Sequence, residues 1–417
     1  MPGADSPYDV VVWGATGFTG RLTAEHLAAA AGPDLEWTIA GRTPAKLEAL
    51  REDLADVDPA LAEMEYITGD ATDRESLDAI ADQTDVVCAA VGPYADYGTP
   101  MVEACLDAGT DYCDLTGELQ WMRETVESYH ERATDEGVRI VHACGFDSVP
   151  SDLGTLLVQT HAMETFGAPC STVRANVSLD GGGFSGGTAT SMVGLYEALE
   201  DDPALARALD DPHALVPEGH PDGSAAVRGS LPQYDHEAGT WTAPFFMAEV
   251  NEKVVHRSNA LRGYPYGRSF AYHESMATGG GPIGAALAGA VTGGLALVDQ
   301  VMSVDPLRQR LDRYVLPDPG EGPSRQAIED GGFEVRLRGT GAAAEGGDVF
   351  TVEGRISSDQ DAYGTSGVLV GEAARCLANG DVDSPLDGGV LTPASGIGMP
   401  LVERLREAGL TITVDDR

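Results

Sequence analysis

Three glycines spaced three apart, Gly14, Gly17 and Gly20, sit in the run Gly14-Ala15-Thr16-Gly17-Phe18-Thr19-Gly20. An apolar stretch at 8–13 precedes the run, and a stretch at 21–31 with Leu22, Leu27 and Ala28 at helical spacing follows it. Strand, glycine turn and helix in that order open a βαβ unit. Glycine lets the backbone approach a pyrophosphate, and the helix N-terminus offers free N–H groups and a partial positive charge. Cofactor choice rests on the end of the next strand, 37–40, where an acidic residue would hold a ribose 2′-hydroxyl and an arginine would accommodate a 2′-phosphate. Arg42 stands there, so the expected cofactor is NADP(H). In an open parallel sheet, ligands lie beyond the carboxyl ends of the strands. That rule adds Asp70 and the run Val91-Gly92-Pro93-Tyr94 to the cofactor-binding residues.

Reduction of a C=C or C=N bond needs hydride at one atom and a proton at its neighbour, and the protein's task is position and a proton donor. Candidates at the strand ends are Tyr94, Tyr112, His142, Asp114, Glu118 and Asp147, with Tyr94, Asp147 and Glu118 taken as the catalytic set. The carboxylates have structural alternatives. Asp147 and Asp152 flank Val149-Pro150 and suit helix capping, and Asp114 and Glu118 suit a solvated pair in an acid-rich chain. The Tyr-x-x-x-Lys pair of short-chain reductases is absent. The chain's two lysines, Lys46 and Lys253, have Arg42 and Glu249 four residues earlier. Gly183-Phe184-Ser185-Gly186-Gly187 matches the nucleophile turn of hydrolases, but a flexible substrate loop accounts better for so many glycines. His130-Glu131 and His273-Glu274 lack a second histidine at zincin spacing, and no metal site is expected.

The elements that must hold these residues alternate. Apolar runs at 8–13, 37–40, 65–68, 85–91, 110–114 and 138–144 are separated by helical patterns, giving six strands of a doubly wound parallel sheet. Thr43-Pro44 and Thr99-Pro100 read as helix starts, Gly109 and Gly137 as helix ends. Beyond residue 152, strands at 172–179, 333–339 and 349–356 follow, the last two as an antiparallel hairpin, and then a helix at 362–377. Residues 201–239 read as a long surface excursion. A closing helix at 400–408 and a strand at 410–414 end the chain.

The glycine run with Ala40-Gly41-Arg42, then Val91-Gly92-Pro93-Tyr94 with Tyr112-Cys113-Asp114-Leu115-Thr116-Gly117-Glu118, then Cys144-Gly145-Phe146-Asp147-Ser148-Val149-Pro150-Ser151-Asp152, resemble the saccharopine dehydrogenase-like oxidoreductases. The likeness is to the branch with the trans-acting enoyl reductases, and Pro319-Gly320-Glu321-Gly322-Pro323-Ser324 extends it over nearly the whole chain. The resemblance implies an α/β Rossmann-like NADP-binding domain at 1–150 and an inserted α+β substrate and dimerisation domain at 151–375. A C-terminal return at 376–417 would pack on the first domain. It also implies that Gly92–Tyr94 line the cofactor's ribose and nicotinamide, and that the protein is a homodimer.

Composition constrains the surroundings. With 67 acidic against 26 basic residues the net charge is -41, which excludes a nucleic-acid partner because a polyanion would be repelled. A hydrophobic content of 42% excludes a disordered acidic chain. An acidic surface without strong self-repulsion requires salt, so a halophile's cytoplasm is expected, and the family resemblance is read as being to a halophilic archaeal type. The six cysteines, without a Cys-x-x-Cys pair, read as reduced buried thiols. Residues 275–298 carry no charge, and their apolar part reads first as a buried helix or the wall of a substrate channel, with peripheral membrane contact through 279–298 as the alternative. Scattered arginines in 151–300 and this small-residued apolar run favour enoyl reduction of a lipid-like small molecule. An amino-acid or imine dehydrogenase and a non-catalytic NADP(H) sensor remain as alternatives.

Overall fold

The computed structural model describes residues 6–181, 185–201, 203–217, 231–317, 320–343 and 347–416. The first half alternates strand and helix: β1 (Tyr8–Trp13), β2 (Trp37–Gly41), β3 (Tyr66–Thr68), β4 (Thr84–Ala89), β5 (Asp111–Asp114) and β6 (Arg139–Val141). All pair in parallel, in the order β6-β5-β4-β1-β2-β3, with β1 central. β1 and β2 are almost wholly buried, because helices cover both faces of such a sheet. Leu47, Leu50 and Leu54 line the inner face of the helix Pro44–Val57, as their spacing requires. Thr43 occupies the N-cap of that helix, although its hydroxyl makes no cap bond.

One helix start differs from the expectation. The helix expected at Thr99-Pro100 begins at Tyr94 and runs to Ala108, with Pro100 inside it and Gly109 in the left-handed conformation after it. The reason is a distant cap. Glu118 accepts the N–H groups of Tyr94 and Ala95 at 2.8 and 2.9 Å, satisfying the first turn from another element.

The second half builds a mixed sheet. β7 (Thr172–Asp180), β8 (Gln233–Asp235), β9 (Thr240–Ala243), β10 (Ala271–Gly279), β11 (Gly332–Ala342) and β12 (Val349–Ser358) are joined in the order β12-β11-β7-β10-β9-β8. β11 and β12 form the expected antiparallel hairpin, with Phe333 opposite Ser358 and Ala342 opposite Val349. Two further strands close the chain. β13 (Gly389–Leu391) is a seventh parallel strand of the first sheet, beside β6, and β14 (Thr411–Asp416) pairs antiparallel with β12 on the second. β13 is not legible in the sequence, because it follows a stretch at 380–388 rich in Asp, Gly and Pro that reads as loop. The closing strand therefore sits on the second sheet, not on the first domain. The boundary expected at 375/376 falls inside the helix Ala362–Asn379, which packs on Phe18–Ala30. Buried Glu372 pins these two helices, accepting from Arg375 and meeting His26 Nε2, each at 2.7 Å.

Within the expected excursion at 201–239, the described residues contain the helix Pro203–Asp210 and β8. Residues 218–230 lie outside the described residues. All six cysteines are buried and free.

The charge-free run contradicts its first reading. The helix Gly281–Met302 buries only Gly284, Ala288 and Met302, while Ile283 is 76% and Leu297 64% exposed. It is long and apolar enough to cross a membrane by length and composition alone. Hydropathy records how poorly a segment suits water but not what covers it, and glycine and alanine give neighbours little side chain to pack against.

Candidate active site

The glycine run turns at the carboxyl end of β1. Gly14 has φ of 85°, and a Cβ there would lie 2.6 Å from Val91 Cγ2 and 3.0 Å from the carbonyl of Ala90. A Cβ on Gly20 would collide with the carbonyl oxygen of Gly14. No side chain caps the helix Phe18–Ala30, and its first turn holds no acid, so its free N–H groups and partial positive charge face the turn. Only glycines permit this cradle, and its chemistry suits a pyrophosphate.

At the end of β2, Thr16, Arg21, Lys46, Ala49 and Leu50 line a shallow depression. Arg21 is engaged by Glu25 and Asp53. Arg42 and Lys46, both exposed, form no ion pair among the described residues, although the Asp70 carboxylate lies close enough to Arg42 to feel its charge. Two unpaired cations beside the dinucleotide cradle, in a chain with so few, fit a ribose 2′-phosphate. Sequence reasoning chose Arg42 and passed over Lys46, whose signal was its place in the first turn of the helix after β2. Asp70 accepts the backbone N–H and hydroxyl of Thr72, and these bonds, with Arg42 nearby, hold its carboxyl below the usual range. Asp70 thus shapes the turn after β3.

Val91, Gly92, Pro93 and Tyr94 follow β4 through a cis Gly92-Pro93 bond. Val91 abuts the glycine turn through the Gly14 contact, so the loop stands against the cradle. Tyr94, however, is turned inward. Its hydroxyl donates to the Ala89 carbonyl at 3.0 Å, its ring stacks on Trp121 at 5.4 Å, and burial drives its phenol well above the ordinary range. Such a group does not supply a proton, which corrects its place in the catalytic set. Glu118 is also committed: besides the two N–H groups it accepts the Ser191 hydroxyl at 2.8 Å. Its role is to fix the Gly92-Pro93 loop and the helix Gly186–Asp201, and it leaves the set too.

Other candidates fall inside the fold. Asp114 takes the N–H groups of Thr116 and Ala143 and meets His142 Nδ1 at 2.8 Å, with Thr125 on the other ring nitrogen. Tyr112 is fully buried. Asp152 does not cap its helix; it ties Val149–Phe166 to the chain's end by accepting from the Ser258 hydroxyl at 2.5 Å and the Ala394 N–H at 2.8 Å. Ser185 of the hydrolase-like run bonds Thr188 and Tyr363 and, among the described residues, hydrogen-bonds no histidine; residues 182–184 lie outside the described residues.

Asp147 stands apart. It follows β6, is partly buried, and has no hydrogen bond or ion pair among the described residues, and burial alone pushes its carboxyl up to about 6. It faces the backbone of Gly117, where an added Cβ would lie 3.9 Å from its Oδ2 and 3.0 Å from Met247 Cε. An uncommitted carboxyl with a pKa near neutrality, at the carboxyl end of the sheet, can give or take a proton.

Tyr363 was not recognised in the sequence. Its ring meets Phe18 edge-on at 5.7 Å, its oxygen accepts the Ser185 N–H at 2.9 Å, and Thr188 Oγ1 lies 3.1 Å away. Burial raises its phenol and the charge of Asp147 adds to the shift. Gly322 packs on the Phe18 ring, and the Glu321 carbonyl accepts the Gly186 N–H at 2.9 Å. The described part of the 319–324 run, from Gly320, thus joins the cofactor turn to the helix Gly186–Asp201. No signal except position 363 beside a helix start marks the tyrosine. Among the described residues no group of three or more His, Cys, Asp or Glu could hold a metal ion.

Comparison with known proteins identifies the family and the cofactor-binding domain. Residues 10–141 match the saccharopine dehydrogenase NADP binding domain. A Mycobacterium tuberculosis relative is 38% identical over 424 residues, 99% of this chain and 98% of its own. The trans-acting enoyl reductase of Mycobacterium ulcerans is 36% identical over 425 residues, 99% of each chain. Apo saccharopine dehydrogenase (L-Glu forming) from Saccharomyces cerevisiae shares the fold, with a TM-score of 0.57, 14% identity, and coverage of 98% of this chain and 100% of that one. The chain belongs to the family of the trans-acting enoyl reductases, NADP-dependent oxidoreductases built on a saccharopine dehydrogenase NADP-binding domain.

Proposed function

We propose that the protein reduces the C=C bond of an enoyl group on a lipid-like substrate, with Asp147 as the proton donor. The observation that carries this reading is the unpartnered Asp147 carboxyl, raised to about 6 and facing Gly117 and Met247 at the end of the sheet. The glycine run and Val91–Tyr94 would hold the dinucleotide, and Arg42 and Lys46 its 2′-phosphate. When bound, NADPH supplies the hydride. The residues then divide the remaining work. Asp147 holds a proton for the carbon next to the one reduced and is recharged from solvent. Tyr363 fixes Phe18 and Ser185 on either side of the site, and Glu118 keeps the Gly92-Pro93 loop in place. The names of the relatives support an enoyl group as the one reduced, and the methionine beside Asp147 supports an apolar substrate over a polycarboxylate one.

The same reading places the protein in the cytoplasm of a halophilic archaeon, as a homodimer, with peripheral membrane contact through 279–298. The net charge of -41 supports the first, and the exposed helix supports the last. NADPH oxidation should be followed with enoyl thioesters, unsaturated isoprenoids, and 2-oxo acids with amines. Turnover with the first group supports the proposal. Turnover only with oxo acids and amines would replace it with imine chemistry, and tight NADPH binding without turnover would make the protein a sensor.

A further inference from the structure

The helix Gly281–Met302 continues into a second helix, Asp305–Tyr314, and the exposed apolar surface continues with it. Ile283, Leu287, Leu297 and Val298 project from the first, and Tyr314 and Val315, 73% and 70% exposed, end the second. Charge is distributed differently here from the rest of the chain. Residues 275–317 hold three aspartates (299, 305, 312) and three arginines (308, 310, 313), net zero, so the whole of the -41 lies elsewhere. Arg308 is buried and bound to Glu200 and Asp305. Arg310 and Arg313 are exposed and have no carboxylate partner among the described residues, and Arg313 lies over the Tyr314 ring at 5.5 Å.

We infer that this surface lies on a lipid bilayer, with Gly281–Met302 in the plane of the interface and Arg310 and Arg313 on lipid phosphates. An apolar helix set into the acyl boundary, flanked by arginine and an interfacial tyrosine, is the arrangement by which a protein rests on a membrane without crossing it. The local neutrality supplies the complementarity. An anionic headgroup layer would repel the rest of the surface but meets two free guanidinium groups here. The surface also connects to the active site, because the Tyr196 hydroxyl donates to Asp299 at 2.7 Å and so ties this helix to Gly186–Asp201, which carries Thr188 and Ser191. An apolar substrate dissolved in the bilayer would therefore reach the enzyme on the side of the catalytic groups.

This inference rests on the membrane contact proposed above and not on the reduction chemistry, because the test needs no turnover. The full chain is floated with vesicles of phosphatidylglycerol and, separately, of phosphatidylcholine. Co-flotation stronger with phosphatidylglycerol is expected, with at least a tenfold loss in the exposed-site variant Leu287→Asp/Leu297→Asp and a several-fold loss in Arg310→Glu/Arg313→Glu. Absence of flotation with both lipids would overturn the inference. So would a dimer, measured by sedimentation, that Leu287→Asp/Leu297→Asp dissociates, since a second copy would then cover the helix. Binding unaffected by the arginine variant would overturn their assignment to phosphate.

Discussion

The Glu118 carboxylate receives the backbone N–H of Tyr94 at 2.8 Å, so a residue at the end of the loop after β5 caps the helix after β4. Its second oxygen takes Ala95 N–H, and the loop Gly92-Pro93 is held from both directions. Glu118→Ala should remove this cap, lower the melting temperature by several degrees, and raise the KM for NADPH more than it lowers kcat. Tyr94→Phe should leave kcat within about twofold and cost about 1 kcal/mol, the usual worth of one hydrogen bond. A thousandfold fall in kcat for Tyr94→Phe would return that phenol to the chemistry.

Arg42 and Lys46 predict cofactor preference. Arg42→Ala and Lys46→Ala should each raise the KM for NADPH about tenfold while leaving NADH unchanged, because only the former carries the 2′-phosphate. Initial rates at varied cofactor concentration decide this, and an equal effect on both cofactors would refute the assignment.

Tyr363→Phe keeps the edge contact with Phe18 but loses the oxygen that joins Ser185 and Thr188. A several-fold rise in substrate KM with little change in NADPH affinity is expected. Isothermal titration with NADPH and steady-state kinetics separate the two.

The acidic surface predicts a salt requirement. Screening at ~1 M salt shortens the reach of charge repulsion to about 3 Å. The melting temperature should rise by more than ten degrees between dilute buffer and 2 M KCl, a range well beyond ordinary stabilisation; a flat response in thermal unfolding would argue against a halophilic origin.

The first sheet was legible because each strand is a short apolar run between turn residues, and the turns carry glycines whose neighbours leave no room for a Cβ. Leu47, Leu50 and Leu54 declared their helix face in the same way. What was not legible depends on contacts distant in sequence. The cap from Glu118 moves a helix start from Thr99 to Tyr94, β13 needs β6 beside it, and Tyr363 reaches Phe18 across hundreds of residues. The run at 275–298 was legible as uncharged and apolar, but its exposure depends on an absence of neighbours that no local pattern records. Asp147 and Tyr94 looked alike as strand-end candidates, and only the fold distinguishes a free carboxyl from a bonded phenol.

The central claim is that Asp147 gives the proton. Its carboxyl titrates near 6 in the folded chain against 3.8 as the ordinary value, a raised acid, so the protonated form dominates below about 6 and is lost as pH rises through it. Ionising it also opposes folding, so Asp147→Asn should gain stability relative to the wild type above pH 6 and not below the ordinary value. The most direct measurement is the pH dependence of kcat/KM for enoyl reduction in the wild type and in Asp147→Asn. The account predicts a wild-type limb falling above about pH 6, and in the variant a rate lower by roughly 10²–10⁴ with that limb gone. A variant that retains full rate and the same limb would contradict it.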